Sequence, residues 1–446
     1  MNNPRQIAFL ALRDVHRGAF ADIALTRWLR QAKLSDADRR LTTELVYGCI
    51  RRMRTLDALI DLFAKKKSRQ QPPDLRTILH LGLYQLRYLS NIPAAAAVDT
   101  TVELCKKNSL VGLAGFVNAL LRQYIRNTDT PLQLPENPAE RLGILHSFPD
   151  WIVQFWIEQL GFEEAEQLCQ WFNKSPTIDL RVNPLRTSIE QVEAALEAAG
   201  ATVTRVPHLP QALRLKGGTG AIENLPGYKQ GWWSVQDSSA QLVGYLLEPQ
   251  PGEVVFDVCA APGGKTTHLA ELMRDEGKII ACDKAESRLR KLAENAQRLQ
   301  HKSIEIFRGD VCNISQFENV GDRVLLDAPC SGLGTLHRRA DARWRHTPEN
   351  VQKLAELQGK LLQQVAGWLK EGGVLVYATC TLHPLENENL ICAFLERHSN
   401  WEISPPAPES PVAPFATPEG WIKVWPHRHQ MDGFFMVRLI KGKNKV

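Results

Sequence analysis

From about residue 239 onward the chain alternates short β-prone apolar runs with helical stretches, and nothing else in it constrains the fold as strongly. The runs VVFDV, KIIACD, SIEIF, RVLLD and VLVYAT are separated by stretches such as ESRLRKLAENAQRL and NVQKLAELQGKLLQQVAGWL. The latter repeat their apolar residues at helical spacing. Strands apolar on both faces belong to parallel sheets covered on both sides, so the pattern predicts an α/β domain over residues 239–446. Ligands on such sheets bind at the carboxyl ends of the strands, and each motif discussed below falls at such an end.

The rest of the chain reads differently. Residues 1 to about 128 show only helical periodicity, in segments such as RQIAFLALRDV, DLRTILHLGLYQLRYL and GLAGFVNALLRQYI. Asn3 can cap the first of these, with Pro4 in its first turn and Ile7, Leu10, Ala11 and Val15 on one face. The polar, Pro-rich NTDTPLQLPENPAE reads as a linker, which places an all-helical module at residues 1–140. Two further helices and a small β-α-β unit, TIDLRVNP, SIEQVEAALEAAG, ATVTRVP and ALRLK, closed by GWWSVQD, make a second module at 147–238.

Charge is divided unevenly. Residues 1–145 hold 22 Lys and Arg against 13 Asp and Glu, net +9, while the remainder holds 32 against 36, net −4. A basic helical module points to a polyanionic partner. Arg13 and Asp14 interrupt the first apolar stretch too early for a signal peptide. SLVGLAGFVNALL, a long uncharged run, is shorter than the about 20 residues that span a bilayer. A cytoplasmic protein with no membrane association is expected. Its nine cysteines are odd in number and form no CxxC pair, so neither a disulfide framework nor a metal site is expected, and most should be reduced core residues.

FDVCAAPGGKTTHLA, residues 256–270, is a strand, a glycine turn and a helix. Gly263 and Gly264 remove Cβ atoms where backbone must approach a ligand, and the following helix presents unpaired N–H donors. Gly264, Lys265 and Thr266 match the end of a phosphate-binding loop, but its first glycine would stand at 259, where the residue is Cys259. The next strand ends at Asp283, 19 residues after Gly264, near the spacing at which an acid accepts the hydroxyls of a ribose. Asp310 closes the third strand, placed to meet an adenine edge. Taken singly each aspartate reads as a helix cap; as an ordered series they describe an adenosine site without a pyrophosphate, which S-adenosyl-L-methionine fits.

Two cysteines, Cys330 in LLDAPCSGLG and Cys380 in YATCTLHPLENE, stand at the mouths of separate strands. A thiolate near a methyl donor suits one target, C6 of a pyrimidine. Addition there converts C5, otherwise a poor nucleophile, into an enamine carbon able to take a methyl group, and two thiols could divide attack from release. Cys282, Cys312 and Cys392 read as structural, the glutamates after Pro384 as first-turn acids favoured by a helix dipole, and KKKSR as a solvated loop.

The set CAAPGGK, DAPCSGLG and ATCTLHPLENE resembles the NOL1/NOP2/Sun family of RNA cytosine-5 methyltransferases, and the helical start resembles the antitermination factor NusB. The resemblance spans nearly the full chain. It implies a Rossmann-like class I methyltransferase domain, preceded by a NusB-like RNA-binding domain and a small α+β, RRM-like subdomain. It further implies transfer from S-adenosyl-L-methionine to C5 of a cytidine in 16S rRNA, cytosine-967, free or in an early small-subunit particle, by a monomer. Carried onto this chain, Cys380 is the attacking nucleophile, Cys330 assists release, and Asp327 faces base and cofactor with Lys265 close by. Cys259, Ala260, Ala261, Pro262, Gly263, Gly264 and Lys265 wrap the methionine part, Asp283 holds the ribose and Asp310 approaches the adenine. Thr381 stands where the family commonly has serine, and Ala340 replaces the proline of its RR-x-PD-x-RW stretch.

Base extrusion into a pocket costs a few kcal/mol, which contacts elsewhere must offset. The basic helical module, Arg181 and Arg186 of the second module, and RRADARWR with Trp344 are the candidates for phosphate contacts and stacking. The competing reading is an RNA-binding antitermination or assembly factor carrying an idle methyltransferase sheet.

Overall fold

The computed structural model describes residues 3–217 and 220–442. These form two compact units, Met1–Lys174 with Leu336–Arg345, and Ser175–Thr335 with His346–Val446.

The first unit is helical throughout: α1 (Pro4–His16), α2 (Ala21–Gln31), α3 (Asp36–Phe63), α4 (Pro73–Tyr88), α5 (Ala94–Lys107), α6 (Ala114–Arg126), α7 (Pro138–His146), α8 (Asp150–Leu160) and α9 (Phe162–Trp171). Side-chain caps start three of these helices, the first of them at Asn3 as expected. Asn3 accepts the backbone N–H groups of Arg5 and Gln6, Ser35 accepts that of Asp38, and Asn137 accepts those of Ala139 and Glu140. The apolar stripes of α1, α3, α4 and α6 meet in one core built around Phe9, Leu45, Ile50, Leu79, Leu83 and Leu121.

The second unit holds two sheets. Strands β1 (Ile178–Val182), β2 (Thr202–Arg205), β3 (Ala212–Lys216) and β4 (Trp233–Val235), with α10 (Ile189–Ala198), form an antiparallel sheet in the order β2-β3-β1-β4. After α11 (Ser238–Leu247) come β5 (Val254–Val258), α12 (Gly264–Leu272), β6 (Lys278–Asp283), α13 (Glu286–Leu299), β7 (Ile304–Arg308) and β8 (Gly321–Asp327). A helical turn, α14 (Ala342–Arg345), lies within the segment that packs with the first unit. Then follow α15 (Pro348–Ala366), β9 (Leu369–Thr379), α16 (Glu388–Arg397), β10 (Trp401–Ile403), β11 (Ile422–Val424) and β12 (Phe434–Lys441). The large sheet runs β10-β12-β9-β8-β5-β6-β7, with β11 paired to β12.

Strands β7, β6, β5, β8 and β9 are mutually parallel, and β12 lies antiparallel beside β9. The order reverses between β5 and β8, so the carboxyl ends of those neighbours flank a crevice that no crossover helix fills. Apolar runs such as Leu375–Ala378 are buried because both faces of the sheet are covered. Core residues Leu242, Leu269, Met273 and Val376 share one cluster, and Phe256, Leu362, Trp368 and Tyr377 share another.

Residues 336–345 account for a departure from expectation. RRADARWR was expected to reach RNA, yet Arg343 is fully buried in the helical unit. Its guanidinium donates to the carbonyls of Arg51, Ser147, Phe172 and Leu336 at 3.0 to 3.3 Å and lies 4.0 Å over the Phe148 ring. Ser147 and Phe172 cap the C-terminal ends of α7 and α9, where carbonyls lack helical donors and the helix dipole favours a cation. Ala340 is fully buried in the same helical core, and Trp344 donates its indole N–H to the carbonyl of Ile50 at 2.9 Å. Arg343 and Trp344 are therefore structural.

Candidate active site

The turn after β5 carries the glycines. Cys259 has φ 63, a left-handed conformation uncommon for a residue with a side chain, and Gly263 has φ 99. A Cβ at Gly263 would stand 2.6 Å from Leu292 Cγ on α13, so a glycine is required for α12 to begin this close to its neighbour. Asp257, last but one in β5, is fully buried and accepts the Thr266 hydroxyl at 2.5 Å through Oδ2. Its Oδ1 is buried without a hydrogen-bond partner. Burial pushes its carboxyl up to about 7, against the lowering effect of the Thr266 bond. Burial likewise pushes the Cys259 thiol up to about 12. Asp257 is a further residue of this site, and its signal in the sequence is an acid inside an apolar strand.

The neighbouring strand ends supply the acids. Asp283 accepts the N–H of Ala261 at 3.2 Å and that of Ala285 at 2.8 Å, tying the end of β6 to the glycine turn. Arg288 approaches it at 3.6 Å and also donates to the Ala261 carbonyl. Asp310 is exposed at the end of β7 and accepts the Cys312 N–H at 3.2 Å, so it does act as a cap. A turn of small residues, a buried acid on the next strand and an unpartnered carboxylate oxygen beneath the turn fit a nucleoside cofactor bearing positive charge.

At the ends of β8 and β9 the two cysteines come together. Cys330 Sγ lies 3.4 Å from Cys380 Sγ. The bond to the Cys380 sulfur and burial push the Cys330 thiol well up, and the charge of buried Glu386 adds to this. Lys265, at the start of α12, donates to Asp327 Oδ2 at 2.6 Å and lies 5.2 Å over the Phe434 ring. Burial alone would lower the Lys265 ammonium, but the Asp327 carboxylate outweighs it and holds the pKa up, so the side chain stays charged. Of the other cysteines, Cys49, Cys105, Cys169 and Cys282 are buried, whereas Cys392 is exposed, contrary to its reading as a core residue.

One carboxylate joins both cysteine loops. Glu386 accepts the Ser331 N–H at 2.8 Å, the Gln358 amide at 3.0 Å, the Thr381 hydroxyl at 3.2 Å, and the Ser331 hydroxyl. Gln358 also donates to the carbonyl of Pro329 at 2.9 Å, and Asn387 bridges the Thr379 hydroxyl and the Thr381 carbonyl. Glu386 does stand in a first turn, that of the short helical segment Pro384–Glu386, but it is fully buried and its carboxylate is spent on these partners. Thr381 supplies the hydroxyl this network needs, as serine would. The Cys330 loop also crosses the segment before β12 as bare backbone, because a Cβ on Gly334 would fall 2.0 Å from the Gly433 carbonyl oxygen.

Arg181 does not face solvent. It is fully buried and bidentate to Glu271, while Arg186 and Lys65, Lys66 and Lys67 are exposed. Among the described residues no group of His, Cys, Asp and Glu is arranged to hold a metal ion, and no helix is long and apolar enough to cross a membrane.

A family model described as 16S rRNA methyltransferase RsmB/F matches residues 244–440, one for the NusB family matches 2–126, and one for a ferredoxin-like domain of RsmF/B-like methyltransferases matches 148–221. A probable ribosomal RNA small subunit methyltransferase B from Synechocystis is 49% identical over 99% of this chain and 100% of its own length. The chain belongs to the RsmB/F methyltransferase family. The RsmB/F relative of that name in Bacillus subtilis is 35% identical, covering 98% of both chains. The crystal structure of PH0851 is similar with a TM-score of 0.82 at 28% identity, covering 98% of this chain and 99% of that one. This RsmB/F chain therefore combines a NusB-like helical domain, a ferredoxin-like domain and a Rossmann-like methyltransferase domain. The order β2-β3-β1-β4 is that of a ferredoxin-like sheet in which one crossover helix has been replaced by a loop.

Proposed function

We propose that this chain methylates C5 of a cytidine in 16S rRNA, cytosine-967, using S-adenosyl-L-methionine, through a transient bond between Cys380 Sγ and C6 of the base. The observation that carries this reading is the pair of thiols 3.4 Å apart at adjacent strand ends, beside the Lys265–Asp327 ion pair. Family membership supports rRNA methyl transfer as the reaction class.

In this reading Cys380 attacks as thiolate, forming the S–C6 bond and moving the C5–C6 π electrons toward C5, with N3 receiving a hydrogen bond or proton. Bound S-adenosyl-L-methionine supplies an electrophilic methyl group on a sulfonium. C5 takes that methyl, a base then removes the C5 proton, and the returning electron pair reforms the C5–C6 double bond and expels Cys380. Cys330, beside it, acts in the release step. Asp327 and Lys265 orient the base and donor. Cys259 to Lys265, Asp283 and Asp310 hold the cofactor, the last from an exposed position.

The test is tritium transfer from labelled S-adenosyl-L-methionine to 16S rRNA, either naked or in an early particle. Label recovered as 5-methylcytosine supports the proposal; label confined to another base or to protein removes it.

A further inference from the structure

We propose that Arg181, on the ferredoxin-like sheet, is a positioning residue for the methyl-donor turn. The inference rests on the assignment of residues 259–265 to that donor. Arg181 Nε and Nη2 grip Glu271 at 2.8 and 2.7 Å, and Nη2 also donates to the Thr267 hydroxyl at 2.9 Å. Its Nη1 donates to the Gly264 carbonyl at 2.6 Å and to Gln236 Oε1. Three of these acceptors, Gly264, Thr267 and Glu271, lie on α12, one turn apart. A single guanidinium thus fixes the first two turns of the helix whose N-terminus forms the turn.

Every nitrogen of Arg181 is engaged, and its side chain and that of Glu271 are both fully buried. Arg181 therefore has no donor left for a phosphate. Burial alone would raise the Glu271 carboxyl, but the Arg181 charge and its hydrogen bonds hold it below the usual range, so the pair is ionised. The network continues through Gln211, which donates to Glu271 at 3.0 Å and accepts from Tyr245 at 2.6 Å. The same module also binds α13. Arg298, on α13, donates to the carbonyls of Tyr228 and Trp233 at 2.8 and 3.1 Å, and Asn183 donates to the carbonyl of Leu299, the last residue of α13, at 3.5 Å. Helices α12 and α13 meet at Gly263 and Leu292, so the small sheet buttresses both sides of the glycine turn. A small sheet built to read RNA alone would have no need of a desolvated arginine aimed at that turn.

The test compares wild type with R181K, Q236L and the double variant R181M/E271L, which removes both buried charges so that neither is stranded. Four quantities are read: calorimetric affinity for S-adenosyl-L-methionine, KM for donor and for rRNA, kcat at saturating donor, and hydrogen exchange of residues 259–268 without cofactor. The double variant should lose about tenfold in donor affinity, as expected for charge-assisted hydrogen bonds, with rRNA KM and saturating kcat within about twofold. Exchange across the turn should quicken, and R181K and Q236L should show the same pattern more weakly, deciding the matter if the double variant does not fold. Wild-type donor affinity in R181K and Q236L, or a raised rRNA KM with donor affinity intact, would overturn the proposal. Wild type failing to bind the donor would instead remove the underlying assignment.

Discussion

Replacing Glu386 tests how much of the catalytic geometry depends on one buried carboxylate. In Glu386→Ala four donors lose their acceptor, but not equally. The Ser331 and Thr381 hydroxyls are already 2.8 Å apart and can bond each other, and Gln358 retains the Pro329 carbonyl. The Ser331 N–H, one residue after Cys330, is left stranded inside the protein. An unsatisfied buried donor costs about 1–3 kcal/mol, and the vacated space adds about 1 kcal/mol, for a total of about 2–4 kcal/mol. If the Cys330 loop relaxes to recover even half of that, transition-state geometry suffers, and kcat should fall about tenfold to a hundredfold. Glu386→Gln keeps an oxygen for the Ser331 N–H and offers its NH₂ to two hydroxyls that can turn to accept it. It should cost about 1 kcal/mol and less than about fivefold in kcat. Single-turnover methylation of rRNA and thermal unfolding measure both effects. An alanine variant with wild-type kcat and melting temperature, or a glutamine variant as impaired as alanine, would refute the reasoning.

Two further outcomes follow from buried charges. Arg343→Met strands four carbonyls in the helical unit and should cost about 3–4 kcal/mol, lowering its unfolding temperature by roughly 10 °C in calorimetry; an unchanged transition would contradict the structural role assigned to this residue. For Asp257 the carboxyl rises to about 7 on folding from an ordinary 3.8, so the fold favours its protonated form. Its burial cost is absent below the unfolded value and grows as pH climbs to about 7. Relative to Asp257→Asn, wild type should lose a few kcal/mol of stability between about pH 4 and pH 7 in denaturant titrations, and parallel curves would sink the assignment.

The sheet and its motifs were legible because strand alternation, glycine turns and terminal acids are local signals. VVFDV, KIIACD and VLVYAT became β5, β6 and the apolar part of β9, and the two thiols that sequence placed at strand ends meet. The cap at Asn3 was legible for the same reason. What sequence hid was long-range burial. Arg181 and Arg343 look like ordinary surface cations in a basic chain, and only the fold shows that one meets Glu271, 90 residues away, and the other a set of helix-end carbonyls. Glu386 resembled a helix-dipole acid because its partners, Ser331 and Gln358, lie in other loops and helices. Asp257 could have been found from the improbability of an acid in an apolar strand.

The account depends most on Cys380 as the atom that bonds to the base, and trapping that bond is its most direct test. Cys330→Ala, incubated with S-adenosyl-L-methionine and 16S rRNA, should accumulate a protein–RNA adduct that survives a denaturing gel, while Cys380→Ala should give no adduct and no turnover. An adduct formed by Cys380→Ala and absent from Cys330→Ala would contradict the account.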